Sequence, residues 1–158
     1  MKKFGTIRAA PIALMLTVAT QAGAECGNLC DYNWWKTATT ADVQAELDGD
    51  ADVMARNKLS YTPLHSTARY GSSATVQPLL AAGADVMARD ENGITSLHYA
   101  STPEVIQALL AAGAYVMARD EYGGTPLHAA ARYGSPATVQ DSLDAGADAR
   151  AKDDGDKT

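Results

Sequence analysis

Three histidines, two cysteines and a scatter of threonine and serine hydroxyls are the side chains of this 158-residue chain whose types can do chemistry. His65, His98 and His128 each stand three residues after a threonine, in Thr62-Pro63-Leu64-His65, Thr95-Ser96-Leu97-His98 and Thr125-Pro126-Leu127-His128. An imidazole near a hydroxyl is the raw material of nucleophilic catalysis, because the ring can take the hydroxyl proton. A triad, however, needs a single orienting geometry. Here the same spacing is written three times, so Thr62, Thr95, Thr125, Ser66 and Ser96 read as scaffold, and no catalytic residue is assigned. The chain lacks the glycine-rich phosphate loops and the His-Glu-x-x-His pattern of metallohydrolases. Stacked helices lie about 8–10 Å apart. That is too far for two of these imidazoles to meet one metal at about 2 Å each, so neither metal nor cofactor is expected. Cys26 and Cys30 are spaced Cys-x-x-x-Cys rather than the redox Cys-x-x-Cys, with no His nearby in sequence. In an oxidising compartment they most simply form one structural disulfide.

What positions these residues is a repeat. LLAAGADVMARDENG at 79–93 returns as LLAAGAYVMARDEYG at 109–123, and ARYGSSATVQ at 68–77 returns as ARYGSPATVQ at 131–140. The threonine-to-histidine phrase recurs after 33 and then 30 residues, the period of a repeat architecture. Alanine supplies most of the packing, as stacked helix pairs require, and each repeat buries its face only against the next. With TPLH, a glycine closing the first helix, a second helix ending LL..GA, and D..G before the next threonine, residues 37–152 resemble the ankyrin repeat family.

The resemblance implies an all-α solenoid of one capping half-repeat and three full repeats, with short hairpins between helix pairs. It implies that the motif His and Thr brace neighbouring repeats by hydrogen bonds. It also places the hairpin tips and the exposed face of each first helix on a concave side that binds a protein. In this sequence those positions hold Arg56, Lys58, Leu59, Tyr61, Arg89, Glu91, Ile94, Tyr99, Arg119, Glu121 and Tyr122. Tyr61, Ile94, Tyr99 and Tyr122 are the expected partner contacts, because the scaffold letters recur while the positions aligned with these do not, and they are expected to cluster. Met54, Met87 and Met117 occupy a hairpin slot where the family usually has Asn. They form either a soft apolar contact between adjacent hairpins or an adaptable, oxidation-sensitive binding ridge.

Local signals refine the elements. Thr39 with Asp42 makes an approximate capping box for the first outer helix. Asp50 falls in the slot of Gly83, Gly113 and Gly146, where a left-handed backbone is wanted, which weakens the leading repeat. Pro78 falls inside a helix and should loosen it. The middle repeat lacks three residues before its interhelical turn, so its first helix must end early and leave a notch. Residues 25–36 carry both cysteines and both tryptophans and form an N-terminal cap whose rings close the stack. The last repeat has Asp141, Ser142 and Asp144 where the first has Pro78, Leu79 and Ala81, the polar outer face a terminal repeat needs, and residues 153–158, with no apolar side chain, are expected to be a disordered tail.

The chain begins with Lys2, Lys3 and Arg8, an apolar run over 12–20 too short to span a bilayer, and Ala22-Gly23-Ala24. This reads as an export signal over 1–24, cleaved before Glu25, which would deliver the protein to the periplasm or the medium. The formal charge of −6 becomes more negative when those three basic residues leave. That balance argues against nucleic acid, whose binding needs Lys and Arg. The expectation is a non-enzymatic monomer without stable membrane insertion, binding an envelope or extracellular protein. Alternatives are a protective accessory that stabilises a periplasmic enzyme and a secreted effector acting on a host protein.

Overall fold

The computed structural model describes residues 27–158. The expected export signal and Cys26 lie outside the described residues. After a 3₁₀ turn at Gly27–Cys30 come α1 (Tyr32–Trp35), α2 (Thr40–Asp48), α3 (Pro63–Tyr70), α4 (Ser73–Ala81), α5 (Ser96–Tyr99), α6 (Pro103–Ala111), α7 (Pro126–Tyr133) and α8 (Pro136–Asp144). The fold is all-α. Among the described residues the one β-type pairing is an isolated bridge between Arg89 and Thr95. Inner helices stack in the order α1, α3, α5, α7, and outer helices in the order α2, α4, α6, α8.

The helices start where threonine, serine and proline dictate. Thr39 accepts the Asp42 N–H, and the Asp42 carboxylate takes the Thr39 N–H at 2.8 Å, which holds that carboxyl below its usual range. Pro63, Pro103, Pro126 and Pro136 each fill a first helical position, where the missing N–H costs nothing. Ser96 takes that slot in α5, and its Oγ is the one buried side-chain polar atom without a hydrogen bond among the described residues.

Trp35 closes the first end of the stack. It is 2% exposed, donates its indole N–H to the Leu29 carbonyl at 2.7 Å, and meets Trp34 edge-on at 4.8 Å. Leu64, Val76, Leu79, Val105 and Leu109 continue the core with no measurable exposure. Asp50 is left-handed, with φ 63°, as are Gly83, Gly113 and Gly146 at 92°, 94° and 89°. An aspartate there costs about 1 kcal/mol relative to glycine.

The middle repeat is cut short as its length requires. α5 spans four residues where α3 and α7 span eight, a deficit of about one turn, or roughly 6 Å. The chain leaving α5 is tied down because Ser101 donates its N–H to the Ala68 carbonyl at the end of α3, at 3.2 Å.

Two expectations need correction. Residues 153–158 form an ordered turn rather than a disordered tail. Asp153 Oδ1 accepts the N–H groups of Gly155 and Lys157 at 2.8 and 2.9 Å, the Asp153 N–H bonds the Lys157 carbonyl, and Lys152 pairs with Asp156 at 3.3 Å. The segment repeats the turn hydrogen bonds that Asp120 makes in the preceding hairpin, so polar turn chemistry and neighbouring hydrogen bonds order it without apolar burial. Ser142, expected on a polar outer face, is instead buried, with its hydroxyl donating to the Thr138 carbonyl of its own helix at 2.8 Å.

Pro78 lies within a continuous α4. Its missing N–H leaves the Ala74 carbonyl without its helical partner, and the Thr40 hydroxyl of α2 donates to that oxygen at 3.3 Å. The neighbouring repeat therefore repairs part of the defect. Pro78→Ala is expected to raise the melting temperature, by less than the roughly 3 kcal/mol of an unrepaired interior proline. Thr40→Val should destabilise the Pro78 protein more than the Pro78→Ala protein, with a coupling of about 1 kcal/mol in a double-mutant cycle. Strict additivity in thermal melts would show that Thr40 does not serve this carbonyl.

Candidate protein-binding face

Each hairpin is built on one acceptor side chain. Asn57, Asp90, Asp120 and Asp153 use Oδ1 to hold the N–H groups two and four residues on, at 2.8–3.0 Å. The tips then pair with one another: the N–H groups of Glu91, Glu121 and Asp154 donate to the carbonyls of Leu59, Asn92 and Tyr122 at 3.4, 3.0 and 2.9 Å. This lines up Leu59, Asn92 and Tyr122 along the row of tips, with Leu59 47% and Tyr122 66% exposed.

The histidines run beneath this row. In each motif the threonine N–H donates to Nδ1, at 3.1 Å for His65 and 3.2 Å for His98 and His128. Nδ1 must therefore be unprotonated and Nε2 must carry the hydrogen. Nε2–H reaches forward to the next hairpin: His65 to the Ile94 carbonyl at 3.1 Å, His98 to Gly124 at 3.3 Å, and His128 to Lys157 at 3.1 Å. Both ring nitrogens of each histidine are thus committed to structure. Among the described residues no group of three His, Cys, Asp or Glu side chains could hold a metal ion.

Arg56, Arg89 and Arg119, expected at the partner surface, are committed to the scaffold. Nη1 of each bridges its own hairpin and the next: Arg56 to the carbonyls of Ser60 and Arg89, Arg89 to those of Gly93 and Arg119, and Arg119 to those of Gly123 and Lys152, all at 2.7–3.0 Å. Such charge-assisted bonds fix the guanidinium in place.

The expected aromatic contacts come together in part. Tyr61 and Tyr99 meet with ring centroids 5.3 Å apart and hydroxyl oxygens 2.6 Å apart, and Tyr99 donates to Asp90 Oδ2 at 3.0 Å. The Asp90 carboxylate can only accept, so Tyr99 keeps its proton and donates it there, and Tyr61 donates to Tyr99; burial, then the bonds to Tyr61 and Asp90, push the Tyr99 phenol well above its usual range. Ile94, aligned with Tyr61 in the next repeat, is half-buried, its N–H held by Asp90. Tyr122 stands apart on its tip and makes no ring contact among the described residues.

Two residues missed in the sequence complete the face. Arg69, exposed at the end of α3, places its guanidinium carbon 5.3 Å from the ring centres of both Tyr70 and Tyr99. The result is a continuous surface of Tyr61, Tyr99, Arg69 and Tyr70, running from the hairpins to the notch over the shortened α5. Across that notch, Arg132 lies over Tyr133, which is 78% exposed. Ala-Arg-Tyr-Gly recurs, and recurrence had marked it as scaffold.

A family profile described as ankyrin repeats, in three copies, matches residues 38–120 and 64–153. The chain belongs to the ankyrin repeat family. A comparison with curated proteins found no match. Ankyrin repeats are in general protein–protein interaction modules rather than enzymes, so a protein partner is implied. This ankyrin chain keeps the hydroxyl–imidazole bracing of its motif threonines and histidines in all three full repeats.

The bracing makes the ankyrin stack sensitive to acid. Burial lowers the pKa of His65 and of His98 in the folded chain, outweighing the carbonyl bond each makes. The unfolded histidines take up protons near pH 6.5 while the folded ones resist, so stability present above pH 7 is lost as pH falls from about 7 toward 5. Each such histidine contributes a slope of at most about 1.4 kcal/mol per pH unit. Thermal melts between pH 7.5 and 5 should show this decline, and His65→Gln should make it shallower. A melting temperature independent of pH over this window would contradict neutral, bracing histidines.

Proposed function

We propose that this protein is exported and binds an envelope or extracellular protein through its concave face, in a periplasmic or extracellular compartment. The reading is supported most by one observation: the Arg69 guanidinium carbon lies 5.3 Å from the ring centres of both Tyr70 and Tyr99, and the Tyr99 hydroxyl joins that of Tyr61. The residues aligned with Tyr99 in the flanking repeats are Ser66 and Ala129. Tyr and Arg are the side chains that most often anchor interfaces. Leu59 and Tyr122 extend the face along the tips, where each is exposed without a packing duty. A face spanning three stacked repeats suits a standard interface of about 800 Å² per partner.

Export rests on the basic start, short apolar run and Ala-Gly-Ala at 22–24. The same route would carry Cys26 and Cys30 to a compartment where a disulfide between them persists, stapling the cap with about 2 kcal/mol in the chain-entropy account. The acidic balance favours a partner with basic or aromatic surface along the tips, where Glu91 and Glu121 are exposed.

The test separates stability from capture. Leu59→Ser, Arg69→Ala and Tyr122→Ala, combined in one chain, change exposed side chains and should each shift stability by about 0.5 kcal/mol or less. Crosslinking capture from the native envelope fraction, with wild type and the triple variant as baits at matched concentration, is expected to show the wild-type partner lost. That corresponds to at least about thirtyfold weaker binding, or 2 kcal/mol. Undiminished capture by a well-folded triple variant would refute this face as the site.

A further inference from the structure

Met54, Met87 and Met117 are the only methionines among the described residues, and all three occupy the same hairpin slot. Each sulfur accepts a backbone N–H from the next repeat: Met54 Sδ from Asp85 at 3.3 Å, Met87 Sδ from Tyr115 at 3.3 Å, and Met117 Sδ from Asp148 at 3.2 Å. A thioether is a weak acceptor. The slot nevertheless asks for an acceptor rather than for apolar filling, because it meets a donor in every copy. Asparagine would carry its oxygen the same number of bonds from Cα, so sulfur adds no reach. What sulfur adds is susceptibility to oxidation.

We propose that this thioether ladder is an oxidative modification site, in which hydrogen peroxide converts Met54 first and thereby loosens the hairpins from one another. In the reaction a sulfur lone pair attacks the terminal peroxide oxygen. The S–O bond forms as the O–O bond breaks, the sulfur loses two electrons, and the departing hydroxide takes the proton of the transferred hydroxyl to leave as water. The product is methionine sulfoxide, a polar group that reductases can return to the thioether.

Exposure sets the order. Met54 is 38% exposed, whereas Met87 and Met117 are half-buried. Geometry sets the consequence. A sulfur 3.2–3.3 Å from its donor nitrogen leaves no room for an oxygen between them. After oxidation the N–H must release the sulfur, or the two hairpins must separate to let the new oxygen accept it.

The first two rungs are linked through one residue. Asp85 gives its N–H to Met54, and its carboxylate holds the Met87 N–H at 2.8 Å. Loosening Asp85 therefore frees the backbone of Met87 and exposes the second sulfur. The linkage stops at Tyr115, which occupies the corresponding aspartate slot without a carboxylate. Met117 oxidises independently of the other two. The hairpins loosened first are those that carry Leu59 and Asn92, but the inference stands whether or not they touch a partner.

The test is a time course of the full chain in hydrogen peroxide, quenched and read by peptide mass spectrometry, with amide hydrogen exchange on the same samples. Met54 should oxidise several-fold faster than Met117, and exchange at Asp85 should rise about five- to tenfold as it does. Met54→Asn should keep the Asp85 amide protected in peroxide and slow oxidation of Met87 while leaving Met117 unchanged. Equal oxidation rates at all three sites would overturn the proposal, as would unaltered Asp85 exchange once Met54 is sulfoxide.

Discussion

Every hairpin of this solenoid ends in backbone groups that its own repeat cannot satisfy, and the structure depends on how the neighbouring repeat satisfies them. Arg56, Arg89 and Arg119 each donate to a carbonyl of the next hairpin. His65, His98 and His128 do the same one layer deeper, and the three methionine sulfurs accept N–H groups in the same direction. Each buried donor or acceptor left alone would cost about 1–3 kcal/mol. Adjacency is therefore the source of stability, as expected for a chain whose repeats contact only their neighbours.

That demand sorts the side chains into two sets. Residues that brace recur: the motif Thr and His, the hairpin Arg, and the Asp or Asn at the turn. Residues that do not brace are free to differ between repeats, and these are Leu59, Tyr61, Tyr99 and Tyr122. The Tyr99 hydroxyl joins the two sets, since it bonds both Tyr61 and the turn residue Asp90. The same logic explains how defects are tolerated. Pro78 and the shortened α5 each break a local pattern, and in each case a hydrogen bond to the adjacent repeat compensates: the Thr40 hydroxyl of α2 serves the carbonyl that Pro78 leaves over, and the Ser101 N–H that follows α5 bonds the Ala68 carbonyl of α3.

Most of the fold was legible because its signals are local. Threonine, serine and proline mark helix starts, Asp50 after α2 and glycine after α4, α6 and α8 mark the left-handed turns, and the three-residue deficit forces α5 to end early. The ordered end of the chain was misread because composition was weighed over register. Lys152 to Thr158 carries no apolar residue, yet Asp153 stands where Asp120 does and makes the same two bonds. The site was less legible. Nothing local distinguishes an arginine that braces carbonyls, such as Arg89, from one that lies across tyrosine rings, such as Arg69. The difference is set by which repeat lies beside each.

The central claim, that forward bonds from one hairpin to the next hold the stack together, is tested most directly at Arg89, which bridges the hairpins of the two repeats on either side of the notch. Arg89→Ala, followed by urea denaturation, is predicted to lose about 1.5–3 kcal/mol, because two carbonyls lose a charged donor. A midpoint unchanged from wild type would contradict the account, since it would show Arg89 to be a solvated tip residue whose bonds carry no stability.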